Sequence, residues 1–446
     1  MEVLQYVLAL VVTLGILVTV HEFGHFLVAR RSGVKIVRFS VGFGRALWSW
    51  TDRHGTEFVV AAIPLGGYVR MLDEQDGFSP TEHVPPEDLA RSFRRLSPSW
   101  RIAIALGGPA ANFLLAVVVY WLLFVVGRME VVPIVDEVSP EAPAYAAGMR
   151  GGEEVVGIDG EETPSWADVT MALASRLGDS GHIQVDTRRP GADVTQTHRL
   201  VIDDWHRGED EPDLLESLGI VPTLPPVLGS VLPDSPAAAA GLHRWDRIVS
   251  ADGQPVGNWA DWVELVRAAP DTPLALVVER DGRNVELALT PGTQTSADGA
   301  TFGYLGVGPV LREIAYGPLE SVGRSLNETW SKTLLTLDLL KKMVTGLVST
   351  RNLAGPITIA KVAGDSARSG IENFLGVLAL LSISLGVLNL LPIPILDGGH
   401  IVFCVAELII GRPVPERVQA LGMQIGLFLV GGLMVLAFYN DITRLF

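Results

Sequence analysis

His21 and His25 stand four residues apart with Glu22 between them, at the end of an uncharged, almost wholly apolar run from Val3 to Val20. On a helix this spacing puts both imidazoles on one face, where their lone pairs can converge on a metal ion. It also sets Glu22 close enough to act on a water there. By composition such an HExxH match arises by chance in about one per cent of chains this long, so its setting carries the weight. Ionisable groups inside a membrane segment are costly and by default face a protein interior or cavity where they work. A cleavable signal peptide would have basic residues before the apolar stretch and small residues after it, whereas Glu2 precedes this one and His-Glu-Phe-Gly-His follows. The structural alternative is two histidines satisfied by hydrogen bonds within a helix bundle, and a third ligand elsewhere in the chain decides between the readings.

Catalytic zinc takes three protein ligands and leaves a position open. Asn389-Leu-Leu-Pro392-Ile-Pro394-Ile-Leu-Asp397-Gly-Gly399 closes a later apolar stretch. Its prolines unwind the helix and its glycines allow close backbone approach. A carboxylate stranded at that depth is expensive unless coordinated or paired, and irregular backbone is tolerated there only in a protein-lined cavity. Asp397 is therefore the expected third ligand. It could instead cap a helix over His400 to Glu407, and His400 is an alternative ligand.

These groups need membrane segments to hold them. The chain has 446 residues, 48% hydrophobic, and a positive mean hydropathy. It is too apolar for an ordinary soluble enzyme and too charged in its middle for a bundle of spans alone. Four stretches reach the roughly 20 residues a membrane helix requires: Val3 to Ala29, Ile102 to Val126, Phe374 to Leu391 and Leu421 to Phe438. Arg30, Arg31, Lys35, Arg38 and Arg45 follow the first and Arg94, Arg95 and Arg101 precede the second, which places residues 30–101 in the cytoplasm and both termini outside. Between Gly127 and Glu320 there are 13 Lys and Arg against 32 Asp and Glu, an acidic exported block that argues against nucleic-acid binding. The single cysteine, Cys404, allows no internal disulfide and reads as a buried, inert thiol.

The acidic block repeats itself. Residues 138–160 lie over residues 231–253 without gaps at a shift of 93, and the same shift pairs Trp166-Ala-Asp168 with Trp259-Ala-Asp261. Each copy reads as a short helix ending at glycine, a strand such as Arg247 to Ala251, an Asp-Gly turn and a helix such as Trp259 to Val266. Leu274 to Val278 and Val285 to Leu289 form a hairpin turning at Asp281-Gly282. The arrangement resembles the PDZ domain in its permuted bacterial envelope form, whose groove admits an extended peptide or protein segment beside a sheet edge. Trp245 stands where Gly152 stands in the first copy, a departure from the small residue usual in that family. Phe39 to Gly44, Glu57 to Ile63 and Gly66 to Met71 read as short strands of a sheet at the membrane surface. Pro318 to Ser349 reads as an amphipathic helix lying along the outer membrane face or against the bundle.

HEFGH in the first span, Gly108-Pro-Ala-Ala-Asn112 in the second, Asn389-x-x-Pro-x-Pro-x-Leu-Asp-Gly-Gly in the third and two PDZ-like units between them resemble the site-2 protease family of intramembrane zinc metalloproteases. Phe39-Ser-Val-Gly-Phe-Gly44 and Pro64-Leu-Gly-Gly-Tyr68 extend the likeness over essentially the whole chain. The resemblance implies Zn²⁺ on His21, His25 and Asp397, with Glu22 as general base. It implies substrate contacts from Asn389, Pro392, Pro394, Phe39, Gly42, Gly44, Gly66, Gly67 and Tyr68. It also implies a single-span, anti-sigma-factor-like substrate, trimmed beforehand on its exterior side, with the PDZ-like pair filtering by size and signal-peptide remnants a further substrate class.

The expected protein is thus a mixed α and β membrane protein of the bacterial inner membrane. It has four transmembrane helices, a small membrane-associated cytoplasmic β-sheet, two tandem PDZ-like α+β domains on the exterior (periplasmic) side and an amphipathic exterior helix. The boundaries are 1–30 for the first helix, 31–101 for the cytoplasmic β region, 102–127 for the second helix, 128–222 and 223–310 for the PDZ-like domains, 311–372 for the amphipathic helix and connector, 373–400 for the third helix and 401–446 for a turn and the fourth. A non-catalytic, membrane-anchored PDZ receptor is the competing expectation. A metal transporter would carry more ionisable residues along its spans.

Overall fold

The computed structural model describes residues 2–72, 91–189, 192, 194–210, 212–222, 224–280, 282–295 and 301–444. Asp281 of the expected turn lies outside these residues, as do residues 73–90 of the cytoplasmic region. The chain divides into two compact units, one of residues 1–127, 315–341 and 350–446, the other of residues 128–314 and 342–349.

The first unit is built from helices α1 (Glu2–Ser32), α2 (Pro98–Val126), α3 (Pro318–Val344, whose last three residues belong to the second unit), α4 (Pro356–Ser369), α5 (Ile371–Leu390), α6 (Asp397–Ile410) and α7 (Glu416–Thr443). Among the described residues α1, α2, α5 and α7 are long and apolar enough to cross a membrane. Ser97 caps α2 by accepting from the Trp100 N–H, and Pro98 occupies the first turn, where its missing N–H costs nothing. Glycine lets α1 and α2 meet backbone to backbone. A methyl group on Gly24 would fall 2.1 Å from the Gly107 carbonyl oxygen, the small-residue contact that membrane helices use in place of a hydrophobic driving force. α5 packs on α2 through Ala379, Ile383 and Val387 against Ala116, Val119, Tyr120 and Leu123.

The expected three-strand sheet is two long strands, β1 (Ile36–Thr51) and β2 (Glu57–Met71), which pair twice. Val41 pairs with both Val60 and Gly67, while Trp48 pairs with Val60 from the other side. The first half of β1 therefore lies between the halves of β2, and residues 46–51 and 67–71 form the two edges. Phe39 is buried in the central segment with its ring against Phe26 and Phe58. Both of its backbone flanks are paired within the sheet, so its place is that of a central support.

α3 buries a face of small hydroxyl residues. Ser321, Ser325 and Thr329 are buried; the Ser321 hydroxyl donates to the Gly317 carbonyl just ahead of the helix, and those of Ser325 and Thr329 donate to carbonyls within it. Leu319, Leu326, Trp330, Leu334 and Leu337 are exposed. The small hydroxyl residues pack closely, and the apolar stripe is left outward.

In the second unit the repeat becomes two sheets of the same strand order. Glu161–Glu162, Glu154–Ile158, Gly181–Arg188 and Thr195–Ile202 form one; Gln254–Pro255, Arg247–Ala251, Leu274–Arg280 and Arg283–Leu289 form the other. The shift of 93 holds through the helices Trp166–Ala174 and Trp259–Ala268 and through the backbone: Gly152 has φ +84° and Trp245 has φ 75°. Lys342–Ser349 completes this unit, with the Lys342 ammonium 3.0 Å from Asp179.

Candidate metal centre

α1 carries His21, Glu22 and His25 with no proline to break it, and both imidazoles are buried. A methyl on Gly108 of α2 would fall 2.4 Å from His25 Nε2 and 2.7 Å from His21 Cε1, so only glycine leaves the rings their place. Pro109 cannot donate to the carbonyl of Ala105, which loosens this turn of α2. There the Ile104 carbonyl lies 2.7 Å from His25 Nδ1. A carbonyl only accepts, so His25 holds its proton on Nδ1 and offers a bare Nε2 inward.

The third group arrives by a tight turn. α5 stops at Leu390, Leu391 is extended, and α6 begins at Asp397. A methyl on Gly398 would lie 2.3 Å from the Leu391 carbonyl and one on Gly399 2.3 Å from Pro394 Cα, so the two glycines permit the fold-back. Asp397 is the first residue of α6, Leu396 is its cap position, and no side chain caps it. The capping role weighed from the sequence is thereby set aside.

His21 Nε2 lies 3.2 Å from Asp397 Oδ2, His25 Nε2 lies 3.5 Å from the same oxygen, and the two Nε2 atoms are 3.2 Å apart. Asp397 Oδ2 is buried without a hydrogen-bond partner. Among the described residues these three form one group able to hold a metal, all ligand atoms lying within 4.8 Å of one another. Two imidazole nitrogens and a carboxylate oxygen are the donor set suited to zinc, and an orphaned oxygen facing two lone pairs is what a cation would satisfy. His400 is exposed and stands outside the group.

The Val69 backbone N–H is near the Glu22 carboxylate, and a methyl on Gly67 would come within 3.0 Å of Glu22 Cγ. The β2 edge thus borders the acid, a contact that strand propensity alone does not reveal. Asn389 Nδ2 stands 3.4 Å from His21 Nε2, with Pro392 exposed and Pro394 half-buried in the following turn. Tyr68 stacks on Phe43 at 6.3 Å between ring centroids, and the Phe43 ring covers Gly66. Gly42 and Gly44 have φ +92° and +85°, which only glycine adopts freely.

The model of Peptidase family M50 matches residues 9–433. The chain is 44% identical over 456 residues to the regulator of sigma E protease of Salmonella typhi, covering all of both chains. It is 44% identical over 448 residues to the regulator of sigma-E protease of Escherichia coli, covering 98% of each. With the Haemophilus influenzae regulator of sigma E protease it shares 38% identity over 446 residues, again covering 98% of each.

Proposed function

The chain belongs to peptidase family M50 and is a zinc-dependent metalloendopeptidase of site-2 type, and from that premise we propose that His21, His25 and Asp397 hold the zinc while Glu22 is the general base. The observation that carries the assignment is the convergence of the three ligand atoms within 4.8 Å. When bound, zinc supplies Lewis acidity toward water and toward a peptide carbonyl. Glu22 takes the proton from water and delivers it to the departing amide nitrogen. A non-catalytic receptor is not favoured.

A membrane-spanning substrate helix hides its carbonyls in its own hydrogen bonds, so it must unwind before attack. Pairing with the outer edge of β2 at residues 67–69 would offset those lost bonds. That edge adjoins Glu22 through Val69, which brings strand pairing and base to one place. Asn389 and the turn through Pro392 and Pro394 would hold the other side.

The substrate we infer is a single-span regulator of the anti-sigma type, because the relatives are named as regulators of sigma E protease. The basic 30–101 segment faces the cytoplasm, and the acidic repeat, read as two PDZ-like domains, faces the periplasm and filters substrates by size. The outward apolar stripe of α3 meets lipid.

Glu22→Gln in the full chain should retain zinc and lose at least about 10²-fold in cleavage of a single-span model substrate. Untrimmed substrate should be cut more slowly than trimmed by the unaltered chain. Turnover by the variant equal to that of the unaltered chain would sink the assignment of the base, and equal rates on both substrates would sink the filter.

A further inference from the structure

Asn112 belongs to the Gly108-Pro-Ala-Ala-Asn112 motif, and nothing above gives its side chain a task. It is fully buried in α2, one turn beyond Gly108. One end of its amide, Nδ2, lies 3.1 Å from His21 Nδ1. The other end, Oδ1, is buried without a hydrogen-bond partner. Its backbone carbonyl accepts from the Ser382 hydroxyl at 2.8 Å, so α5 fixes the residue from behind. A half turn about the last side-chain bond exchanges amide oxygen and nitrogen without changing the shape of the group.

Which end faces His21 decides whether that ring can serve as a ligand. Histidine ligates through a nitrogen that carries no proton, and Nε2 is the atom His21 directs at His25 and Asp397. A bare Nε2 requires the proton on Nδ1, and a buried Nδ1–H requires an acceptor. With the amide nitrogen toward it, Nδ1 must accept, and the proton is driven onto Nε2, where it blocks ligation. With the amide oxygen toward it, Nδ1–H donates and Nε2 is free.

We propose that Asn112 is a positioning residue whose amide oxygen accepts the His21 Nδ1–H and so sets the tautomer in which His21 can bind the metal. The two histidines are then prepared differently. His25 is held by the Ile104 backbone carbonyl, which no side-chain substitution at that position removes. His21 depends on a single side chain that can both donate and accept. This inference rests on the zinc reading above.

The test is zinc affinity of the detergent-solubilised full chain, measured by competition with a chromophoric chelator. Asn112→Leu keeps the volume and removes the acceptor, and should weaken zinc about 10- to 100-fold, the usual cost of losing a histidine's outer partner. Asn112→Asp keeps an acceptor and should bind within a few-fold of the unaltered chain; a packing role alone would not give this rescue. If Asn112→Leu binds zinc as tightly as the unaltered chain while His21→Ala is weakened, the role of Asn112 is overturned and the zinc site stands. Equal weakening by Leu and Asp also overturns it. If His21→Ala binds as the unaltered chain does, the zinc reading itself fails and this inference falls with it. Should Asn112→Leu not fold, Asn112→Ala replaces it in the same comparison with Asn112→Asp, and equal loss in both overturns the proposal.

Discussion

His21 Nε2 lies 3.2 Å from Asp397 Oδ2 in the helical unit, and His198 Nε2 lies 3.3 Å from Glu153 Oε2 in the second unit. Distance does not separate the two pairs. In the second unit the Thr187 hydroxyl stands 2.9 Å from both Glu153 Oε2 and His198 Nε2, and His198 Nδ1 lies 3.1 Å from the Ala147 carbonyl. Every facing atom has a partner, and the cluster is closed. In the helical unit the two Nε2 atoms face one another and Asp397 Oδ2 has no hydrogen-bond partner. A buried histidine beside a carboxylate is therefore not in itself a metal site; converging lone pairs that the protein leaves unsatisfied are what distinguish one. The second copy of the repeat closes the same position in another way. There Asp246 stands where Glu153 stands, and Arg280 of the neighbouring strand binds it through two contacts of 2.7 Å.

The comparison is sharpest under Asp397→Ala. It should cost the chain its stoichiometric zinc and reduce cleavage to background, read by metal analysis of the purified protein and by the appearance of a new peptide terminus. Full zinc occupancy in that variant would erase the distinction between open and closed clusters. His198→Leu should leave zinc content unchanged and destabilise the second unit locally by about 1–3 kcal/mol, since Glu153 and Thr187 lose a buried partner. Hydrogen exchange of residues 147–153 in the whole chain reads this effect, and loss of zinc in that variant would mean the clusters are not independent.

Acid should act on the second copy with a definite sign. Burial pushes the Asp246 carboxyl up, but the Arg280 guanidinium and the His243 N–H outweigh it and hold the group below the usual carboxylate range. Its contribution to stability is present at neutral pH and is lost as pH falls below about 4 toward the lowered value. Exchange around Asp246 should rise over that window, and Arg280→Leu should abolish the step. The smallest effect is expected at Trp245, a bulky residue at φ 75°. Trp245→Gly should relieve strain of about 1–2 kcal/mol, less the entropy glycine adds to the unfolded chain. A lower melting temperature would show that the indole stabilises its loop by more than the strain.

How much of this was legible in the chain follows from how local each signal is. HExxH needs one helix, Asp397 stands between prolines and glycines that mark an unwound end, and the repeat at 93 residues shows in plain alignment. The central place of Phe39 in the sheet was not legible, because alternation along one strand cannot reveal that β2 folds around β1 and takes both sides of its first half. The hydroxyl face of α3 was hidden because amphipathic patterning marks the apolar stripe and does not say what packs on the opposite face. Val69 at Glu22 and Asn112 at His21 are contacts between distant segments, and no spacing in the chain announces them.

The close approach of Gly24 to Gly107 has one more consequence. Two helices held apart only by the thickness of their own backbones are gauged by van der Waals contact, not by an ion. Unlike a zinc finger, which collapses when its metal is taken away, this pocket keeps its shape by itself. A chelator should strip it and leave a folded apoenzyme, ready for reconstitution by simple readdition.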